Sequence, residues 1–186
     1  MVLYQIFAIF IFTILLQESS GKDTWSCEIH SVSIYKSSTE YLDTDIKTER
    51  ISRGKYGFSG FVDFKQDTSD KWTIRSNFTR SIYGTNKFIP TPYQTPKMKF
   101  HSFIAGPYKR FAMSTLRNCT KNGIEFEGNF VPPVTKRRMI FHKCRVNVDN
   151  WPYFAAGYYK IFVEILEPQY TGWEVVLKMT SSTPLL

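Results

Sequence analysis

Three cysteines, three histidines and one serine set between glycines are the side chains in this 186-residue chain whose types could do chemistry. Cys27, Cys119 and Cys144 show no Cys-x-x-Cys spacing, and His30, His101 and His142 are scattered. Neither set has the ligand spacing of a structural metal site, so no metal or other cofactor is expected, and each histidine reads as a strand or surface residue. Gly57-Phe58-Ser59-Gly60 approaches a nucleophile elbow, but position 61 is Phe where the second glycine is required, and the run reads as turn and strand. There is no HExxH, P-loop or dinucleotide fingerprint, and no pair of carboxylates at a spacing that assigns acid and base roles. A secreted hydrolase would need a nucleophile that the sequence does not single out, and the expectation is a protein without catalysis. What remains is cross-linking and modification. An odd number of cysteines in an exported protein leaves at least one thiol over. Cys119 with Cys144 is the preferred pair, and a loop of that size contributes about 3.5 kcal/mol in the chain-entropy model. Cys27 is left either to pair between chains or to lie buried as a small apolar residue. Asn77-Phe78-Thr79 and Asn118-Cys119-Thr120 are acceptor sequences for N-glycosylation.

Export is read from the N-terminus. Residues 6–16 are apolar apart from Thr13, and small residues at Ser19 and Gly21 stand at the minus-three and minus-one positions for cleavage after Gly21. The apolar core is shorter than the ~20 residues that span a bilayer. Residues 1–21 are accordingly expected to be a signal peptide, and residues 22–186 a single extracellular domain of about 165 residues, large enough to enclose a real core. Without Glu18 the 24 basic residues face 15 acidic ones, so the domain carries +9. Export makes nucleic acid an unexpected partner. Solubility is the simplest use of the charge, and peripheral contact with an anionic membrane is a further one.

The elements that must position these side chains are strands. Aromatic and β-branched residues cluster in short runs separated by turn residues. Over 71–83, Trp72, Ile74, Phe78 and Ile82 share one parity, and Thr73, Arg75, Asn77, Thr79 and Ser81 the other, so the first set faces inward and Asn77 faces solvent. Over 56–64, Tyr56, Phe58, Val62 and Phe64 share a face opposite Ser59 and Asp63, after a hairpin turn at Arg53-Gly54-Lys55. The sequence predicts further strands at 26–35, with Val32 and Ile34 inward, at 45–52 on an edge, and at 126–131, 136–146, 157–166 and 173–180. In the last, Trp173, Val175, Leu177 and Met179 alternate with polar residues. Three prolines within 89–96 make that stretch an extended connector or edge. Residues 97–116 change to helical spacing through Phe100, Phe103 and Ile104, with a break at Gly106-Pro107 before Phe111 and Leu116. The fold class is mainly β, an antiparallel β-sandwich or β-cup with one short helical insertion. Aromatic residues make up 17% of the chain. They suit both a dense core and a ligand cavity, because each buries a large apolar area with few torsions to freeze, and for any single one of them plain core is the commoner use.

The order and spacing of several landmarks resemble the insect CheA/CheB gustatory family, within the wider group of extracellular proteins similar to the GM2 activator and MD-2-related lipid-recognition domains. The landmarks are Arg53-Gly54-Lys55-Tyr56-Gly57-Phe58-Ser59-Gly60-Phe61-Val62-Asp63, Thr91-Pro92-Tyr93-Gln94-Thr95-Pro96-Lys97, Phe126-Glu127-Gly128, Pro132-Pro133 and Lys143-Cys144. Gly157-Tyr158-Tyr159-Lys160-Ile161, Gly172-Trp173 and Leu177-Lys178-Met179-Thr180 complete them. The resemblance implies two sheets splayed around an apolar pocket that takes a lipid or cuticular hydrocarbon for chemical sensing. Its candidate lining residues are Phe58, Phe64, Trp72, Phe78, Phe100, Phe103, Phe111 and Trp173, with the segment 91–111 as the rim. Ile165-Leu166-Glu167 stands where family members tend to carry a cysteine that could bridge to an early one, and its absence leaves Cys27 without that partner. A carrier that encloses an apolar ligand is the first expectation. The second is an accessory module that contacts a chemosensory receptor and fills its interior with its own side chains.

Overall fold

In the computed structural model, residues 25–36, 39–85, 87–148 and 151–181 are described, and the expected signal peptide at 1–21 lies outside them. Among the described residues ten strands form two antiparallel sheets. They are β1 (Trp25–Lys36), β2 (Leu42–Ser52), β3 (Lys55–Phe64), β4 (Thr73–Ser81), β5 (Ile89–Pro90), β6 (Thr95–Lys99), β7 (Thr120–Lys121), β8 (Arg137–Cys144), β9 (Gly157–Glu167) and β10 (Thr171–Ser181). The larger sheet runs β1-β10-β9-β4, with β5 and β6 sharing the outer edge of β4, and the smaller runs β2-β3-β8-β7. The fold is thus the expected antiparallel sandwich with a helical insertion.

Local chemistry explains the connections. β2 and β3 join through Arg53-Gly54, with Gly54 at φ +71°, a conformation glycine adopts without strain. β2 lies on an edge, as its polar composition predicts. Pro90 and Pro96 sit in the two short strands on the edge of β4, where a missing N–H costs no central ladder bond. In β8 an extra residue between Phe141 and Cys144 bulges, with Lys143 at φ 49°. The bulge shifts the alternation by one, so Met139, Phe141 and Cys144 all end up buried.

The sheets approach each other along β1 and β2, where the Val32 amide donates to Thr48 Oγ1 at 2.9 Å. At the opposite side the chain leaves β6 in one sheet and reaches β7 in the other through a helical segment. That segment is α-helical over Phe100–Phe103, π-helical over Ile104–Ala112 and α-helical again over Met113–Arg117. Its first residue donates its N–H to the Trp72 carbonyl at 2.9 Å. Its far end is followed at once by Cys119, disulfide-bonded to Cys144 at the end of β8.

Six sequence expectations need correction. Gly106-Pro107 does not break the helix. The segment runs through it, because wide i→i+5 turns re-space the bonding around a residue that has no N–H to donate. Residues 97–99 belong to strand β6 rather than to the helix. No strand forms at 126–131, because Gly128 at φ 66° turns the chain and lets Phe126 and Phe130 pack on each other at 5.2 Å instead of alternating. Ile82 is 59% exposed, since β4 ends at Ser81 and the chain bends away. On the parity expected to face solvent, Thr73 and Ser81 are buried, the former bonding Glu167 Oε2 at 2.9 Å. Ile34 is only half-buried and does not join the interior that Ile29 and Val32 line.

Candidate ligand-binding cavity

The inner faces of the two sheets share one apolar cluster, with Ile74 and Ile165 of the larger sheet and Leu42, Val62 and Phe64 of the smaller. Between them and the helical segment lies a cavity of about 610 Å³. Its presence is legible in burial: Val163 and Val175 face inward on strands flanked on both sides, yet both remain half-buried rather than sealed. On an interior strand such exposure opens into an internal space. Two aromatic groups bound that space. At one end Phe64, Trp72 and Phe100 pack with ring centroids 5.8–6.0 Å apart. At the other Phe154, 3% exposed, contacts Tyr93 at 4.6 Å, Tyr159 at 5.1 Å, Trp151 at 5.7 Å and Phe78 at 6.4 Å.

The helical wall is built by a repeat of four. Phe100, Ile104, Tyr108, Ala112 and Leu116 line the cavity, as do Phe103, Pro107, Phe111 and Thr115. An α-helix turns ~100° per residue, so a strict four-residue repeat would drift by roughly 160° over these sixteen positions. A π-helical turn takes roughly 4.4 residues, and nine such residues cancel nearly all of that drift. The π-helical stretch therefore keeps one apolar stripe turned to the cavity from end to end.

Seven of the eight sequence-derived candidates line this space: Phe58, Phe64, Phe78, Phe100, Phe103, Phe111 and Trp173. Trp72 does not. It is 2% exposed and lies behind Phe64 and Phe100 with Tyr41 on its far side, so it supports the wall without reaching the surface of the cavity. Leu42, Tyr108, Met139, Phe141, Trp151 and Phe154 also line it and were not singled out from the sequence. Leu42 lies just outside the expected strand. Trp151 and Phe154 sit in an irregular segment with no periodicity to read.

No lining residue carries a formal charge. Most polar atoms of the lining are already engaged by the wall itself. Tyr108 Oη donates to the Ile124 carbonyl at 2.8 Å, and burial raises its pKa well above the usual phenol range. Trp173 Nε1 donates to Thr44 Oγ1 at 3.1 Å, Trp151 Nε1 to the Phe111 carbonyl at 3.0 Å, and Tyr93 Oη to the Tyr153 carbonyl at 3.1 Å. Thr115 Oγ1 accepts from the Asn147 amide at 2.9 Å. With these groups satisfied, the face left toward the cavity is hydrocarbon. Pro92, Tyr93, Gln94 and Pro152 are exposed as well as lining, which places the mouth between the 92–94 connector, the 151–154 loop and the helix.

The other side chains considered for chemistry lie elsewhere. Ser59 points to the outer face, donates to Glu49 and accepts from the Lys143 amide at 2.8 Å. The Ser59 bond holds the Glu49 carboxyl below its ordinary pKa, and no imidazole stands between serine and carboxylate as a catalytic triad requires. His101 is tied to Thr68 Oγ1 at 2.8 Å, His30 packs edge-on against Tyr158, and His142 is exposed. Among the described residues no group of three or more His, Cys, Asp or Glu stands close enough to hold a metal ion. Of the two glycosylation candidates, Asn77 is half-buried on β4 and Asn118 is exposed at the end of the helical segment.

Cys27 is half-buried in the larger sheet, and burial, with Glu28 beside it, pushes its thiol up to about 12. It stands opposite Met179, which stands opposite Gly157 at the start of β9. Residues 165–167 are at the other end of that strand, roughly 26 Å away at 3.3 Å per residue. A cysteine there could not reach Cys27, because a disulfide needs Cα atoms within ~7 Å. No helix among the described residues is long and apolar enough to cross a membrane. No family model matches the chain, and no curated protein matches it in sequence.

Proposed function

We propose that this protein is a secreted, non-catalytic binding protein that encloses one hydrophobic molecule, a lipid or hydrocarbon, between its sheets. The observation that carries the reading is a cavity of about 610 Å³ whose lining holds no charge and whose polar atoms are largely bonded to the wall. A packed core leaves few voids larger than a water molecule, whereas ligand sites occupy ~300–1,000 Å³ and are mostly apolar. At roughly 30 Å³ per non-hydrogen atom the space accommodates on the order of 20 such atoms, the size of one long acyl or alkyl chain. Burial at about 25 cal/mol per Å² of apolar surface supplies the driving force.

The resemblance to the gustatory family gives the setting, capture of a lipid or cuticular hydrocarbon outside the cell in chemical sensing. The Cys119–Cys144 disulfide suits an oxidising compartment, and the apolar leader and two glycan acceptors read from the sequence fit the same route. Native mass spectrometry of the protein secreted from insect cells, followed by organic extraction, tests the proposal. A lipid or hydrocarbon at one per chain is the expected result. A ligand-free chain that also ignores added alkyl probes would overturn it and favour the receptor-contacting module.

A further inference from the structure

Ser76 is the exception in an otherwise hydrocarbon interior. It lies on β4 between two inward-facing apolar residues, Ile74 and Phe78, lines the cavity and is 5% exposed. Ile74 faces Ile165 and Phe78 faces Ile161 on β9, so each of them meets an apolar partner across the ladder. Ser76 makes no side-chain hydrogen bond among the described residues, and its Oγ is not one of the fully buried polar atoms left without a partner there, which are Thr79 Oγ1, Arg80 Nε and Thr171 Oγ1. Its hydroxyl therefore keeps accessible surface on the cavity, free to bond a polar atom placed there. On its other side Ser76 stands opposite Thr95 of β6, and Gln94 precedes Thr95 at the exposed mouth. All three line the cavity, and the side chains of Thr95 and Gln94 make no hydrogen bond among the described residues either. The connector thus places two hydroxyls and a carboxamide together on the mouth side of an apolar space.

We propose that these three side chains form a head-group subsite, and that the ligand is a long-chain amphiphile with one uncharged oxygen function, an ester, alcohol or ketone. The inference rests on the cavity reading above and narrows it. A carbonyl or hydroxyl at the mouth accepts from the Ser76 hydroxyl and the Gln94 amide, while its alkyl chain runs inward along β9 and β10. A carboxylate or phosphate is disfavoured, because the lining carries no Lys or Arg to compensate a charge drawn out of water. A plain alkane fills the space but leaves Ser76 unpaired.

Displacement of a fluorescent alkyl probe by three ligands of equal chain length, an alkane, its methyl ester and its carboxylate, tests this at neutral pH. The ester is expected to bind about tenfold more tightly than the alkane, as one good hydrogen bond in a dry site provides, and the carboxylate more weakly than the ester. Ser76→Ala should bring the ester down to the alkane and leave the alkane unchanged. Gln94→Leu, at an exposed position where folding is not at risk, should weaken the ester selectively by a smaller factor. Equal binding of ester and alkane by the unaltered protein would overturn the head-group subsite and leave the cavity reading standing. Equal loss of both ligands in Ser76→Ala would do the same. Failure of all three ligands to bind would overturn the cavity reading and this inference together.

Discussion

Filling the cavity from one of its walls separates a ligand site from a core. Val175 is suited to this, because it faces inward on β10 between Val32 and Ile161 and is half-buried although strands flank it on both sides. Val175→Phe keeps a residue favoured in strands and adds four carbon atoms. In a close-packed interior those atoms would force neighbouring side chains off their rotamers at a cost of about 1–3 kcal/mol. Against open space they add apolar contact instead, so the midpoint of denaturant unfolding should stay level or rise. The ligand loses the room those atoms take. At ~0.8 kcal/mol per buried methylene, displacing about three to four methylenes weakens the longest chain that fits by about 2.5–3 kcal/mol, close to a hundredfold. Chains shorter by that length should bind as they do to the unaltered protein. The assay is a displacement series across alkyl chain lengths, run beside urea unfolding of both proteins. A destabilisation of 1–3 kcal/mol together with an unchanged chain-length profile would refute the reasoning, since it would mean that Val175 already touches packed core.

Three further outcomes follow from the same structure. Replacing Cys119 and Cys144 together by serine should lower unfolding free energy by about 3.5 kcal/mol, the chain-entropy value for a separation of 25 residues, measurable by denaturant titration. Arg75, bonded to Glu164 through Nε at 2.5 Å and Nη2 at 3.2 Å, holds that carboxyl below its ordinary pKa of 4.5, and the Tyr170 hydroxyl at 2.6 Å acts in the same direction. A pKa lowered by folding stabilises the folded state above the unfolded value and loses that contribution as pH falls through the folded one. Glu164→Gln should therefore flatten the loss of stability below about pH 4.5, and an unchanged acid limb would remove Glu164 from the account. With its pKa near 12, Cys27 has about one thiol in ten thousand ionised at pH 8, so alkylation of the folded protein should be slow and accelerate on unfolding. Rapid labelling of the folded chain would contradict its burial.

What the sequence made legible tracks where periodicity is strong. In β4 and β10 the alternation identified Ile74, Phe78, Trp173, Val175 and Leu177 as inward, and each lines the cavity. Trp72 shares the parity of Ile74 but precedes the strand, and parity alone does not say how deep a residue lies behind its neighbours. Phe154 could not be found this way, since the hub of one aromatic group stands in a segment whose shape is set by tertiary contacts such as the Trp151 bond to the Phe111 carbonyl. The helix was legible as apolar spacing but not in its winding, because a proline read by local rules ends a helix, and only the two separated sheet edges require the chain to continue through it. Cys144 falls on the wrong parity for a simple strand, and its inward turn depends on the bulge at Lys143. A cavity itself leaves no mark on composition, because lining and core use the same residues.

The helical wall is fastened at both ends, by the Phe100 amide to Trp72 and by the disulfide that follows Arg117. Between these anchors stands Gly106-Pro107, where one residue has no amide hydrogen and the other has open space beside its Cα. Just beyond them Tyr108 bonds the Ile124 carbonyl and the Phe111 carbonyl accepts from the Trp151 indole, so the middle of the wall is held as well. The wall is thus pinned along its length, and the opening the structure itself provides is the mouth between this wall, the 92–94 connector and the 151–154 loop.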